Sequence, residues 1–266
     1  MLAAPPDPVR AQQRDTVFDV LDSRGALLGW EGVGRLDFDD SYCSGALIRR
    51  DVVLTAAHCL YDRASGAPKD TARMTFRAGY HRGGAIAVRK VVAWVVPDSY
   101  AALKAARQSA ISTEGVAGDV ALLKLDRPLS SAEADPFRVH TAADAGTRLS
   151  VASYGRGRDE VLSRERDCSL TQVYRGDILG FDCDVTFGSS GAPVFVRENG
   201  RLRILSVVSS INGKGEAYGP TLPAQVTALS ARLNRADARP KVTAGARRIT
   251  VGGGDRSGLT ARFVRP

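Results

Sequence analysis

The chain has 266 residues, with 37 Lys and Arg against 29 Asp and Glu, a formal net charge of +8, and 44% hydrophobic and 25% charged residues. These proportions are ordinary for a folded protein and exclude a disordered, collagen-like or disulfide-dense chain, while the length admits one large β domain or two smaller ones. The longest apolar run, Val91 to Val96, falls far short of the ~20 residues a membrane helix needs.

Residues 1–16 hold Pro and Arg without periodicity and read as an N-terminal arm. Met1-Leu2-Ala3-Ala4-Pro5-Pro6 has neither the charged n-region nor the apolar core of a signal peptide. From Val17 the texture changes to many short runs of Val, Ile and Leu bounded by Gly, Asp, Ser or Pro, such as Ala46-Leu47-Ile48, Val52-Val53-Leu54, Val88 to Val96, Val120 to Leu125, Leu149 to Ala152, Val194-Phe195-Val196 and Leu202 to Val208. That texture predicts strands and turns. Helical spacing is confined to a short window at Ala101 to Ala110 and a better one at Pro223 to Asn234, where Val226, Leu229 and Leu233 share a face and Pro223 suits a helix start. The polar, alanine-rich stretch Leu129 to Ala145 is the best linker between two halves. The chain is therefore expected to be mainly β with a late helix.

Residues 235–266 form a basic C-terminal extension, with eight Lys or Arg against Asp237 and Asp255. Without it the chain keeps 29 basic and 27 acidic residues, so most of the net charge belongs to the tail. Ile249-Thr250-Val251 and Leu259 to Val264 flank a glycine-rich loop and suggest a hairpin. The tail reads as a solvated extension, as a docking segment for an acidic partner, cell surface or polyanion, or as a removable segment.

Four cysteines fall into two local pairs, Cys43 and Cys59 at a spacing of 16 and Cys168 and Cys183 at a spacing of 15. Two short-range pairs read as two disulfides and hence an oxidising, secreted or periplasmic location; four buried free thiols in a cytosolic protein are the alternative. With no CxxC pair and only three histidines, His58, His81 and His140, no metal site is expected.

Three segments carry chemistry. Leu54-Thr55-Ala56-Ala57-His58-Cys59 ends an apolar strand on a histidine, Gly118-Asp119-Val120-Ala121-Leu122-Leu123 starts one on an aspartate, and Gly188-Ser189-Ser190-Gly191-Ala192-Pro193 is a glycine-flanked turn entering another. Singly they read as a packed histidine, a strand cap and a common Gly-Ser turn. Together, in the order His, Asp, Ser at separations of 61 and 71 residues, they resemble the T-A-A-H-C, D-I-A-L-L and G-D-S-G-G-P blocks of the trypsin/chymotrypsin-like serine protease superfamily. Cys43-Ser44-Gly45-Ala46-Leu47-Ile48 and Val96-Pro97-Asp98-Ser99-Tyr100 resemble that family's C-G-G-x-L-I strand and H-P-x-Y segment. The segments Val17-Phe18-Asp19 with Asp22-Ser23-Arg24, Trp30 to Leu36, and Phe181 to Thr186 look closest to the bacterial glutamyl-endopeptidase-like branch.

The resemblance spans about Val17 to Asn234 and implies an all-β fold of two antiparallel six-stranded barrels, residues 17–130 with His58 and Asp119 and residues 131–234 with Ser190 and a C-terminal helix. It implies a serine endopeptidase acting on protein or peptide substrates without a cofactor. The disulfides would be Cys43–Cys59 and Cys168–Cys183. His58 would take the Ser190 proton, Asp119 would orient the imidazole, and the Gly188 and Ser190 N–H groups would hold the oxyanion. Asp184, six residues before Ser190, corresponds to the base of a pocket for Arg or Lys, or else caps the turn beside Cys183. The histidine with which the glutamyl branch recognises Glu is missing from Ile204 to Ile211, leaving Thr186, while Ser209 or Ser210 would edge the pocket. Ser189 stands where animal digestive members carry Asp, so their activation by a newly cut N-terminus is not expected, and Ala192 replaces a glycine. Alternatives to an enzyme are a catalytically silent homologue that binds partners, or a polyanion binder acting through the tail.

Overall fold

The computed structural model describes residues 18–109, 111–212 and 215–237; the expected N-terminal arm and nearly all of the basic tail, with its hairpin, lie outside them. In chain order the strands are β1 (Phe18–Val20), β2 (Val33–Asp37), β3 (Tyr42–Arg49), β4 (Val52–Thr55), β5 (Thr75–Ala78), β6 (Ala87–Val95), β7 (Ala121–Leu125), β8 (Arg138–Val139), β9 (Arg148–Ser153), β10 (Ser163–Tyr174), β11 (Ile178–Phe181), β12 (Pro193–Glu198), β13 (Arg201–Val207), β14 (Ser210–Ile211) and β15 (Ala217–Pro220). Helices are α1 (Asp98–Ala105), α2 (Thr113–Ala117) and α3 (Pro223–Asp237). The expected window at Ala101 to Ala110 thus begins earlier, at Asp98, and α3 runs three residues beyond Asn234.

β2 to β7 close into a six-stranded barrel in the order β2-β3-β4-β7-β6-β5. The second half is a nine-stranded sheet in the order β14-β15-β11-β10-β9-β12-β13-β8, with β1 paired to β10. It is thus larger than the six strands expected. The additions are short: β8 lies parallel to β13, and β1, three residues long, joins the second sheet although it precedes the first barrel. The fold is chymotrypsin-like and mainly β. No helix of the described residues is long and apolar enough to cross a membrane.

The short apolar runs follow from strands buried on both faces. In β4 and β7, Val53, Leu123 and Leu125 point into the barrel core with Leu36, Leu47, Phe76 and Tyr100. Their neighbours Val52, Leu54 and Leu122 point the other way, into a second core shared with the other sheet. Because successive side chains alternate between faces, such strands read as unbroken apolar runs. β6 shows the contrast: Ala87, Arg89 and Val91 face inward while Val88, Lys90 and Val92 are exposed. The buried Arg89 is neutralised by Glu133 through Nη2 contacts of 2.7 and 2.9 Å.

The shared core centres on Phe195, whose ring meets Trp30 edge-on at 5.3 Å and Phe137 at 4.8 Å. α3 seals it with Leu229 and Leu233, and Arg232 binds the Val96 carbonyl at 2.8 Å. Phe195→Ala is expected to cost about 3–5 kcal/mol of stability, measured by chemical denaturation; a loss below about 1 kcal/mol would show that the two halves are not joined through this cluster.

Candidate active site

His58 sits in a 3₁₀ turn, Ala57–Leu60, immediately beyond β4. All four β4 residues are buried, and Cys59 beside the histidine is disulfide-bonded to Cys43 of β3, which pins the turn to the barrel wall. Asp119 lies between α2 and β7. Ser112 caps α2 by accepting the Gly115 N–H at 3.0 Å, and the chain enters the barrel through Gly118. The Asp119 side chain is only 2% exposed. A buried carboxylate needs donors, and three protein groups supply them. The His58 backbone N–H donates to Oδ1 at 2.8 Å, His58 Nδ1 to Oδ2 at 2.7 Å, and Ser209 Oγ to Oδ2 at 2.5 Å. The carboxylate accepts only if Nδ1 carries the proton, which leaves Nε2 free as a base. Burial works against the charged imidazolium, but the Asp119 charge and hydrogen bond outweigh it, and the His58 pKa is raised; Lys104 and Arg63 oppose that rise. Burial, with the Asp119 charge second, pushes the Tyr100 phenol up.

The Ser190 turn comes from the second sheet and is held by the first barrel. The buried Ser44 of β3 donates its N–H to the Ser190 carbonyl at 2.9 Å and its Oγ to the Gly188 carbonyl at 2.9 Å, and accepts the Tyr154 N–H at 3.0 Å. Gly188 and Gly191 have φ of +88° and +73°. A Cβ on Gly191 would lie 2.0 Å from Thr55 Oγ1 and 2.8 Å from Ala56 N, so the Ser190 turn rests on the segment leading into His58. A Cβ on Gly188 would lie 2.4 Å from the Tyr154 carbonyl oxygen. Both positions therefore require glycine.

The neighbouring serines divide by exposure. Ser189 is fully buried with its Oγ 3.0 Å from Ser153 Oγ, whereas Ser190 is partly exposed. Among the described residues the Gly188 and Ser190 N–H groups have no protein acceptor, while Ser189 N–H is taken by Thr186 and Gly191 N–H by Val208. No hydrogen bond joins Ser190 Oγ to His58 Nε2.

Around the expected pocket the side chains are less uniform. Asp184 is exposed, not the buried carboxylate a guanidinium-binding base calls for, and its N–H donates to Glu165 Oε2 at 2.6 Å. Thr186 and Ser210 are half-buried. Ser209, expected at the pocket edge, spends its hydroxyl on Asp119. His81 and His140 lie apart from this cluster: His81 bridges to Gly84 and Val161, and His140 Nδ1 is 3.5 Å from Glu198. The cysteines pair as Cys43–Cys59 and Cys168–Cys183. Thus the sulfurs near His58 and near Glu165, which otherwise have metal-ligand proximity, are oxidised and offer no thiolate.

Three contributors escape a sequence reading: Ser44, Glu165 and Arg158. Ser44 lies inside a recognised strand motif, but its partner Gly188 is 144 residues away. Glu165 is buried behind the pocket; desolvation, with Asp184 and Asp182 adding to it and the Asp184 N–H and Arg158 opposing, raises its pKa to about 7. Arg158, its pKa lowered by burial against the pull of Asp184 and Glu165, lies over the Phe18 ring at 3.5 Å. Residues 164 to 167, Arg-Glu-Arg-Asp, are four consecutive charges, so the sequence does not mark Glu165 as the one that points inward.

The sequence profile of the trypsin-like peptidase domain matches residues 43–203, and the chain belongs to that family. Among solved structures, a Glu endopeptidase in complex with MPD matches at TM-score 0.66 and 20% identity, over 85% of this chain and 99% of its own. The protease Anisep from Arthrobacter nicotinovorans matches at TM-score 0.60 and 20% identity, over 75% and 93%. The thermostable serine protease AL20 from an extremophilic microorganism matches at TM-score 0.60 and 18% identity, over 77% and 97%. No curated protein sequence matches this chain.

Because the folded Glu165 takes up a proton near pH 7 that the unfolded chain takes up nearer 4.5, its contribution to stability declines as pH rises between those values. Glu165→Gln keeps an oxygen for the Asp184 N–H and removes the buried charge. The variant's melting temperature relative to the parent is expected to improve from about pH 5 to about pH 8; a difference that does not change with pH would show that Glu165 ionises like an exposed carboxyl.

Proposed function

We propose that this trypsin-like peptidase is a serine endopeptidase that cleaves peptide bonds through an acyl-enzyme, with Ser190 as nucleophile, His58 as general base and acid, and Asp119 as the orienting carboxylate. The observation that carries the reading is the 2.7 Å His58 Nδ1–Asp119 Oδ2 contact in a buried setting, beside a glycine-shaped turn that exposes Ser190 and two unengaged N–H groups.

As Ser190 Oγ bonds to the substrate carbonyl carbon, its proton passes to His58 Nε2 and the carbonyl π pair moves onto oxygen. Asp119 stabilises the imidazolium, and the Gly188 and Ser190 N–H groups receive the oxyanion; loss of one such donor commonly costs about 3–4 kcal/mol of transition-state stabilisation. Collapse breaks the C–N bond, with the His58 proton leaving on the amine. Water, deprotonated by the same imidazole, then releases the acid and restores Ser190. None of these steps calls on a metal or organic cofactor. The two disulfides support a secreted or periplasmic setting.

An organophosphonate probe is expected to label Ser190 stoichiometrically by mass spectrometry, with labelling lost in Ser190→Ala; folded protein that takes no label would instead be a silent homologue. The rate–pH profile is expected to fall on the acid side through a pKa above the ordinary histidine value of ~6.5, because Asp119 raises it and the imidazolium cannot accept the serine proton. A rate that stays flat down to about pH 4 would remove His58 as the base.

A further inference from the structure

Phe187 is the one aromatic side chain among the large hydrophobics that the described residues expose, at 55%, and it directly precedes Gly188. Two guanidinium groups lie against its ring, Arg156 at 4.4 Å and Arg63 at 5.5 Å from the centroid. They come from different halves: Arg63 from the turn five residues beyond His58, Arg156 from the loop after β9. Arg156 is tied in place by its own N–H, which donates to the Phe187 carbonyl at 2.7 Å. Both arginines are exposed, and neither forms an ion pair with a described carboxylate. Asp62, adjacent to Arg63, is occupied by the N–H and hydroxyl of Ser65 at 2.7 and 2.6 Å. Asp159 and Arg156 act on the Tyr42 phenol with opposite sign. The charge of Arg63 also reaches the catalytic histidine, where it opposes the imidazolium.

An exposed ring that braces two unpaired arginines is a poor solvent face and a good carboxylate receptor: stacking orders the flat guanidinium groups and leaves their N–H edges free to bind oxygens in pairs. Its place indicates which half of a substrate it meets. The Phe187–Gly188 segment packs on Tyr42, whose ring carbon would be 2.5 Å from a Cβ on Gly188, beside the Cys43–Cys59 bridge. Ser209, bonded to Asp119, leads instead into β14, a separate edge of the site. His58 gives its proton to the departing amine, so the leaving-group half of the peptide runs out past His58 toward Arg63 and Phe187.

Building on the assignment of Ser190 and His58 above, we propose that Arg63 and Arg156, braced on Phe187, form an acidic subsite for the leaving-group side, so that the protein favours peptide bonds followed by Asp or Glu in the first two positions. The recognition is charge-led and exposed. It is expected to act on selectivity between substrates and to weaken as salt rises.

The test uses peptide libraries randomised on the acyl side and carrying either Asp-Glu or Asn-Gln immediately after the bond. The full chain is expected to cleave the acidic library with kcat/KM ~3–10-fold above its amide counterpart. That ratio should fall toward one in the R63Q/R156Q double variant and, for the unmodified protein, in about 0.5 M salt. The salt arm needs no substitution, so it holds even if the double variant folds poorly. Anisotropy binding of the same peptides to Ser190→Ala reads the subsite without catalysis. If Ser190 takes no phosphonate label, the catalytic reading fails, while the binding preference still decides the subsite. Equal handling of the two libraries in both cleavage and binding, or a preference that persists in the double variant and at high salt, overturns the proposal.

Discussion

Asp119 is a carboxylate at 2% exposure in the seam between two sheets, and a charge there must be met by donors or not be charged at all. Its donors come from both sides: the His58 main chain and ring from the first barrel, and Ser209 from the segment after β13. One constraint therefore has two consequences. It selects the imidazole tautomer that leaves Nε2 free, and it joins the halves of the molecule beside the Ser190 turn, where the proposed mechanism needs its nucleophile. The raised His58 pKa is the electrostatic trace of the same contact.

The Ser190 turn is fixed by a complementary device. Ser44 reaches across from β3 and binds both the Gly188 and Ser190 carbonyls, so the proposed oxyanion donors of a second-sheet turn take their position from a first-barrel strand. Gly191 is pressed onto Thr55 and Ala56, two residues upstream of the histidine. Ser189 has no carboxylate with which to anchor the turn as the digestive members of the family do; instead its hydroxyl is 3.0 Å from Ser153 Oγ inside the core. Among the described residues the turn is thus organised by hydrogen bonds between neutral groups, from Ser44 on one side to Val208 on the other.

What the sequence reveals is what is local. The neighbourhoods of His58, Asp119 and Ser190 are short segments whose chemistry lies in consecutive residues, and the two disulfides close loops of similar span, so both were legible. Strand texture was legible because β4 and β7 are buried on two faces and read as continuous apolar runs. α2 was not, since five residues hold too little periodicity to register. Nor were the Ser44 bridge and the buried Glu165, whose roles depend on partners far along the chain or on burial that only packing decides. Asp184 marks the limit of motif reading: its offset from Ser190 suggests a buried pocket base, yet its side chain is exposed and its N–H is held by Glu165. The net charge of the whole chain was a poor guide to the site, because most of it lies in residues 235–266. The arginines that flank Phe187 matter through where they sit.

That two halves of the fold assemble one acyl-transfer site around Ser190 can be checked in the structure of the phosphonate-modified protein. A covalent bond from Ser190 Oγ to phosphorus is expected, with the phosphonyl oxygen about 2.7–3.1 Å from the Gly188 and Ser190 nitrogens and His58 still bonded to Asp119. Phosphorus attached to another residue, or a phosphonyl oxygen turned away from both nitrogens, would contradict it.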